Sequence, residues 1–409
     1  MIDPPVTGLI GVAEAIGILD ATPVCPRIVR LPLMDAVGLR LAVDVRADRD
    51  HPPFDKAVMD GYAVRAADLA TAGVTLAQVD TVAAGQVGRR AVAAGEAVAI
   101  MTGAPLPPGA DAVVPVEQTR RDGDRVTFSA AVRAGQAVAP RGSDVAGGVV
   151  VLPAGIRLGP AQVAVAASVG AAVVSVYGRP AVTVLSTGDE LVEIDREPAG
   201  AQIRNSNGTM LVALLRRLGC DVRDAGIAAD EPDALRAALA AGLRSDALFV
   251  TGGMSMGERD HVPGLLRELG LEARISKLRI KPGKPFVFAA EPSVSAAGSP
   301  RMAFGLPGNP VSAFVCTVRL ASRVLRRMAG GPAEAGLVDA RLTHPMPANG
   351  PREFYQPARW DGSTVTPLGW KGSADLFTLA TANALVIHPE DAPAAAAGDV
   401  VRVLSLDLS

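Results

Sequence analysis

Lysine is nearly missing from this chain. Its 409 residues hold 5 lysines against 35 arginines, and three of the five, Lys277, Lys281 and Lys284, fall within eight residues. A sequence that otherwise meets its need for positive charge with guanidinium keeps ammonium where a compact cation on a flexible stem serves better. An ammonium meets a phosphate or other oxyanion as a point charge, whereas guanidinium imposes a planar fork. Taken alone, the run also fits a solvated basic turn.

Other scarcities exclude whole classes of protein. Aromatic residues make up 3% of the chain, so its cores must be built from Ala, Val, Leu and Ile. The three cysteines, Cys25, Cys220 and Cys316, are far apart, odd in number and without metal-ligand spacing. They exclude a disulfide framework and read as buried thiols in a reducing compartment. A net charge of −2 and a pI near 6.1 speak against a nucleic-acid surface. The histidines, His51, His261, His344 and His388, show no ligand spacing and no pairing with a nucleophile, so a covalent mechanism is not indicated. No basic residue precedes Arg27, and Asp3, Glu14 and Asp20 interrupt the apolar start, unlike a signal peptide. One uncharged run, the 21 residues from Leu158 to Gly178, is long enough to cross a bilayer. It contains Pro160, Gln162 and Ser168, and divides into a helix from Pro160 to about Ser168 and a strand from Val173 to Val176. The expectation is soluble core in a cytoplasmic protein, with neither membrane nor nucleic acid as partner.

What is abundant is punctuation. The 43 glycines and 32 prolines suit a turn-rich fold with much β-structure, and the length suits two to four domains. Residues 7–22 read as a helix, followed by β-branched runs at 28–31 and 41–46. Residues 47–146 read as a small β-rich domain of short apolar runs between Gly, Pro and Asp. The flanking segments 1–46 and 147–178 carry too little pattern alone and are expected to form one discontinuous domain. Over 179–328 strands and helices alternate, which implies a mostly parallel, doubly wound α/β sheet. Leu211, Leu214, Leu215 and Leu218 form a helical stripe there, closed by Gly219. Residues 331–409 return to short strands, expected to form a small β-barrel or sandwich.

In open α/β sheets ligands bind beyond the carboxyl ends of the strands. Three loops are expected at that edge: Ser186-Thr187-Gly188-Asp189-Glu190, then Thr251-Gly252-Gly253-Met254-Ser255-Met256-Gly257, then Gly305-Leu306-Pro307-Gly308-Asn309-Pro310. Glycines let backbone N–H groups close on an anion, and helix N-termini point positive charge at it. Asn309 is a natural N-cap with Pro310 behind it. Each loop alone is an ordinary turn, but three at successive strand ends point to a phosphate-bearing ligand. Asp189, Glu190, Asp230 and Asp260 are expected at the same edge, although Asp230 also stands where a simple helix cap would. Four carboxylates beside a phosphate repel it unless a cation intervenes, and Mg²⁺ or another divalent cation resolves the conflict. Metal and lysines together suggest chemistry at a phosphate bond.

These motifs together resemble the MoeA family of molybdopterin molybdenumtransferases, which includes the E domain of gephyrin. The resemblance runs from about residue 10 to the C-terminus. It is carried by Met59-Asp60-Gly61-Tyr62-Ala63, Met101-Thr102-Gly103-Ala104-Pro105, the three loops above, Asn205-Ser206-Asn207, Lys281-Pro282-Gly283-Lys284-Pro285, and Gly372-Ser373 with Ala380-x-Ala382-Asn383. It implies four domains, with the α/β domain sharing the fold of molybdopterin adenylyltransferases, and an elongated homodimer. The site would lie between the α/β domain and the β-rich domain of the partner subunit. The implied reaction inserts molybdate into adenylylated molybdopterin and releases AMP with divalent-metal help. By motif, Glu190, Asp230 and Asp260 would hold the metal. Lys277 and Lys281 would act on phosphate and molybdate. Thr187, Gly188, Asp189, Gly252, Gly253, Ser255, Gly257, Lys284, Gly305, Pro307, Gly308, Asn309 and Ser373 would bind the substrate, and Asp60, Thr102 and Asp144 would reach in from the other subunit. Molybdopterin adenylyltransferase and molybdoenzyme apoproteins or their chaperones are further partners the resemblance admits.

The chain departs from the family pattern at Lys56-Ala57-Val58, at Pro263 and at Gln356. Those departures are compatible with a tungstate-preferring paralog. An adenylyltransferase or pyrophosphatase acting on the pterin, and a non-catalytic scaffold or carrier on the same fold, are the competing readings.

Overall fold

The computed structural model describes residues 8–253, 261–292, 299–334 and 336–407. The chain divides into two units, residues 30–175 and the remainder on either side of them.

In the unit 30–175 a six-stranded sheet runs in the order Ala112–Pro115, Gly61–Val64, Glu96–Ile100, Thr75–Val82, Arg125–Phe128, Thr119–Asp122. All its pairings are antiparallel except Thr75–Val82 with Glu96–Ile100. The sheet is buried on both faces. Tyr62 and Val64 join Phe128 in one core, while the intervening Ala63 joins Val98 and Ile100 in the other. That is the period-two alternation of a strand expressed on two covered faces. Gly61 has no room for a side chain, since a Cβ would lie 1.9 Å from the Val114 carbonyl oxygen. Outside the sheet, the uncharged run that is long enough for a bilayer contains a nine-residue helix, Pro160–Ser168 (α2), and the strand Val173–Tyr177. No helix among the described residues is long and apolar enough to cross a membrane.

The other unit is built on a second six-stranded sheet, ordered Asp221–Ala228, Ala181–Thr187, Ala247–Thr251, Met302–Leu306, Val287–Ala290, Glu272–Ile275. The first four strands are parallel, and the last two turn antiparallel at the edge. The sheet is doubly wound. Phe249 and Phe304 face a core closed by the helices Val12–Ala21 (α1), Ser206–Arg217 (α3), Pro310–Cys316 (α6) and Ser322–Met328 (α7). Leu248 and Val250 face the opposite core, closed by Pro232–Gly242 (α4) and Val262–Glu268 (α5). Three of the few aromatics, Phe249, Phe288 and Phe304, stack on the first of these faces with centroids 4.8 and 5.1 Å apart.

Five further strands close into a barrel: Glu353–Trp360, Thr364–Pro367, Leu337–Leu342, Val400–Ser405 and Ala384–His388, the last pairing back to the first. Ala340, Ala358, Val365, Val386 and Val403 fill it, while Tyr355, Leu385, Ile387 and Leu404 on its outer face join the α/β core.

Several expectations are corrected. The helix expected over 7–22 is shorter, because Leu9–Ile10 pairs as a strand with Lys277–Leu278. The helix that follows Asn309-Pro310 runs unbroken from Pro310 to Met328, with a π-helical turn, Thr317–Ala321, between α6 and α7. The expectation of three buried thiols fails for Cys25, which is exposed and whose backbone N–H donates to Ser299. Burial pushes the Cys220 thiol up to about 12 and Cys316 higher still, so neither is a thiolate at neutral pH.

Candidate active site

The parallel strands Ala181–Thr187, Ala247–Thr251 and Met302–Leu306 are neighbours, and their carboxyl ends bring the three glycine-bearing loops side by side. The first two loops are locked together. Gly252 has φ 88°, and a Cβ there would lie 2.1 Å from the Thr187 carbonyl oxygen. Gly253, at φ 62°, presses on Thr187 and Val262. Only glycine permits both the left-handed backbone and that approach. The Thr187 hydroxyl is buried without a hydrogen-bond partner among the described residues. An orphaned buried donor costs free energy unless something fills its valence, so Thr187 is available to a ligand at this edge.

Beneath the loops runs a chain of hydrogen bonds that the motif reading did not assign a role. Thr251 Oγ1 donates to Ser186 Oγ at 3.2 Å, Ser186 donates to Asn205 Oδ1 at 3.0 Å, and Asn205 also caps α3 by accepting from the Gly208 N–H at 3.0 Å. On the first turn of the same helix Asn207 donates to the Gly308 carbonyl at 2.7 Å, leaving its own Oδ1 buried and unpartnered. The available signal was Asn205-Ser206-Asn207 itself, whose two asparagines tie all three loops to the start of one helix. The third loop carries a correction: Asn309 occupies the N-cap position of α6, but its side chain makes no capping bond.

Of the four acids, Asp189, Glu190 and Asp230 stand near one another at the first loop. The Asp230 N–H donates to Asp189 Oδ1 at 3.4 Å. Burial first, then the Asp189 and Glu190 charges, push the Asp230 carboxyl above its usual range, with His261 opposing. Asp230 is not a cap: the N-cap of α4 is Glu231, and it makes no side-chain capping bond. Asp230 feels the Asp189 and Glu190 charges, and a divalent cation needs oxygen donors but takes as few as one or two carboxylates when phosphates supply the rest. Among the described residues the groups do not close a cage of three ligands on their own. Asp260, Ser255 and Gly257 lie outside the described residues.

The lysines stand on and around two short strands, Lys277–Leu278 and Ile280–Lys281. Lys281 lies on the two-residue strand Ile280–Lys281, which pairs with Glu353–Phe354 of the barrel. Lys277 pairs with Leu9, and the turn between them is closed by the Leu278 N–H to the Lys284 carbonyl at 2.9 Å. Gly283, at φ 127°, sits where a Cβ would lie 2.6 Å from Cys316 Sγ, which seats the turn on α6. The Ser373 carbonyl accepts the Val311 N–H at 3.0 Å, so its loop docks on the start of α6, next to Gly308 and Asn309. Of the departures from the family pattern, Gln356 spends its amide on the Leu368 carbonyl at 3.0 Å, and Pro263 begins α5.

In the unit 30–175, Asp60 Oδ1 accepts from both the backbone N–H and the hydroxyl of Thr102, each at 2.7 Å, which holds its carboxyl below the usual range. The motif reading named both residues but not the bond between them. Asp144 is exposed, and its recorded bond is from its own N–H to the His51 carbonyl.

Comparison with known proteins agrees along the whole chain. Residues 10–170 match the model of the MoeA N-terminal region, domains I and II; 183–327 match that of a probable molybdopterin binding domain; 339–406 match that of the MoeA C-terminal region, domain IV. Relatives named molybdopterin molybdenumtransferase include those of Nostoc sp., 34% identical over 92% of this chain and 88% of that one, and Haemophilus influenzae, 33% identical over 91% and 92%. The crystal structure of the MoeA molybdopterin biosynthesis protein of Pyrococcus horikosii is similar with a TM-score of 0.84, at 30% identity, over 98% of this chain and 99% of that one. With loops, acids and lysines on the elements described above, and with relatives matched over most of their length, the chain belongs to the MoeA family of molybdopterin molybdenumtransferases.

Proposed function

We propose that this protein is a molybdopterin molybdenumtransferase of molybdenum cofactor biosynthesis. Its substrates are adenylylated molybdopterin and molybdate, and it releases AMP as molybdenum enters at the dithiolene. The observation that carries the reading is the juxtaposition at one sheet edge of an unpartnered Thr187 hydroxyl, the Gly252–Gly253 cradle and the crowded Asp189, Glu190 and Asp230. The loops receive the phosphoanhydride through backbone N–H groups. Glu190 and Asp230, with Asp260, hold a divalent cation, which when bound offsets the charge that builds on the phosphate as AMP leaves. The lysine turn, with Ser373 beside it across the start of α6, receives the tetrahedral oxyanion. Asp60, Thr102 and Asp144 come from the partner subunit of a cytoplasmic homodimer, a reading that rests on the family resemblance.

The test is anaerobic incubation with adenylylated molybdopterin and increasing molybdate or tungstate, following AMP release. AMP appearing with an oxyanion- and cation-dependent rate is the expected result. Release that ignores both would mark the protein as a simple pterin hydrolase.

A further inference from the structure

The Lys281 ammonium lies 4.6 Å from the centroid of the Phe354 ring. Phe354 in turn stacks on Trp370, with centroids 5.6 Å apart and planes 28° from parallel. Both rings are half-buried, and Trp370 stands three residues before Ser373. We propose that Phe354, braced by Trp370, is the positioning residue that presents the Lys281 ammonium to the oxyanion. This rests on the proposed function in taking Lys281 to be an oxyanion residue.

The argument is one of charge. A lysine can be held in place by a carboxylate or by the face of an aromatic ring. A carboxylate fixes the ammonium but cancels its charge, and so removes the attraction an incoming anion would feel. The ring quadrupole also fixes it, but leaves the unit positive charge in full. An ammonium resting on a ring face still has N–H donors on its far side.

The neighbouring acids are spent elsewhere. Glu390 is taken by Arg279 Nε at 3.0 and 3.2 Å, and Glu353 accepts the Tyr355 hydroxyl. Among the described residues the ion pairs are made by arginine and histidine, and none involves Lys277, Lys281 or Lys284. Arginine, which carries nearly all of the chain's remaining positive charge, pairs with acids repeatedly in this unit. The lysine turn is thus kept free of counter-charge while Lys281 is still held in place.

The test measures half-saturation by molybdate in the AMP-release assay and, separately, binding of molybdate alone by equilibrium dialysis. Phe354→Leu is expected to raise half-saturation roughly three- to tenfold, the range of an exposed to partly desolvated cation–π contact, with the maximal rate within about twofold of wild type. Phe354→Tyr is expected to restore it, and Trp370→Leu, which keeps the ring but loosens it, to shift it in the same direction by less. In a Lys281→Ala background, Phe354→Leu is expected to add nothing. An unchanged half-saturation in Phe354→Leu, beside a raised one in Lys281→Ala, overturns the inference and leaves the proposed function standing. A Phe354→Leu effect that persists in the Lys281→Ala background also overturns it, since the ring would then act through general structure. An unchanged half-saturation in Lys281→Ala itself overturns the oxyanion reading of the site, and the inference with it.

Discussion

Asp230 shows how one residue can be poor for the fold and useful for the site. Its carboxyl is pushed up by partial burial and by the Asp189 and Glu190 charges. An acid whose pKa is higher folded than unfolded binds more protons in the native state, so its ionisation works against folding as pH rises through the interval between the two values. A cation at the cluster reverses this. Without added metal, Asp230→Asn is therefore expected to raise the unfolding midpoint at pH values above the folded-state pKa, by less than about 1 kcal/mol because the group is only partly buried, while strongly slowing AMP release. Adding Mg²⁺ is expected to stabilise wild type more than the variant. Thermal unfolding across pH, with and without Mg²⁺, checks both, and an equal Mg²⁺ response in the two proteins would remove Asp230 from the cation site. Asp60 runs the other way. Its two bonds from Thr102 lower its pKa, so the stability they give is present above the unfolded pKa and is lost as pH falls through the folded one.

Among the elements, the π-helical turn between α6 and α7 has a visible purpose. It carries Arg319, whose Nε donates to the Tyr355 hydroxyl at 2.8 Å and whose other arm meets Glu334 at 2.9 Å. One turn later Arg323 Nε meets Asp20 of α1 at 2.9 Å and also reaches Glu334 at 3.1 Å. Barrel strand, α1 and the helix entering the barrel are thus tied by a largely buried polar network. The two arginines stand four residues apart on one helix, and π-turns inside helices often occur at functional sites. Tyr355 is fully buried. Tyr355→Phe leaves the Arg319 guanidinium short of an acceptor and is expected to cost roughly 1–3 kcal/mol, read in denaturant unfolding. A change within error would mean that water replaces the hydroxyl. The same strand holds Glu353 and Phe354, so the network also fixes the strand that Lys281 pairs with.

For the whole molecule, the proposed homodimer gives a test that needs no structure of the dimer. If each site combines Asp60 of one subunit with Asp230 of the other, Asp60→Asn and Asp230→Asn are each strongly impaired alone. Dimers formed by random mixing then regain about a quarter of wild-type activity, because half of them carry one intact site of two. No recovery in verified mixed dimers would show that each site is built within one chain.

How much of this was legible beforehand follows from the range of the forces involved. The helix Pro160–Ser168, the strand Ala247–Thr251 and the stripe of α3 are local. Apolar period, Pro and Gly set them, and the chain shows them without help. The glycine loops and the lysine run were legible as motifs for the same reason, since their chemistry needs particular residues close together in sequence. The antiparallel edge strands, the closing of the barrel from Ala384–His388 back to Glu353–Trp360, and the π-turn depend on partners far along the chain. So do the exposure of Cys25, the unpartnered hydroxyl of Thr187, the burial and neighbouring charges that lift Asp230, and the ring beneath Lys281. By itself the sequence determined which chemical groups this protein holds and on which loops. Only the tertiary structure decided which of them meet, because desolvation, packing and charge coupling act between residues that the crossover connections of the sheet bring together.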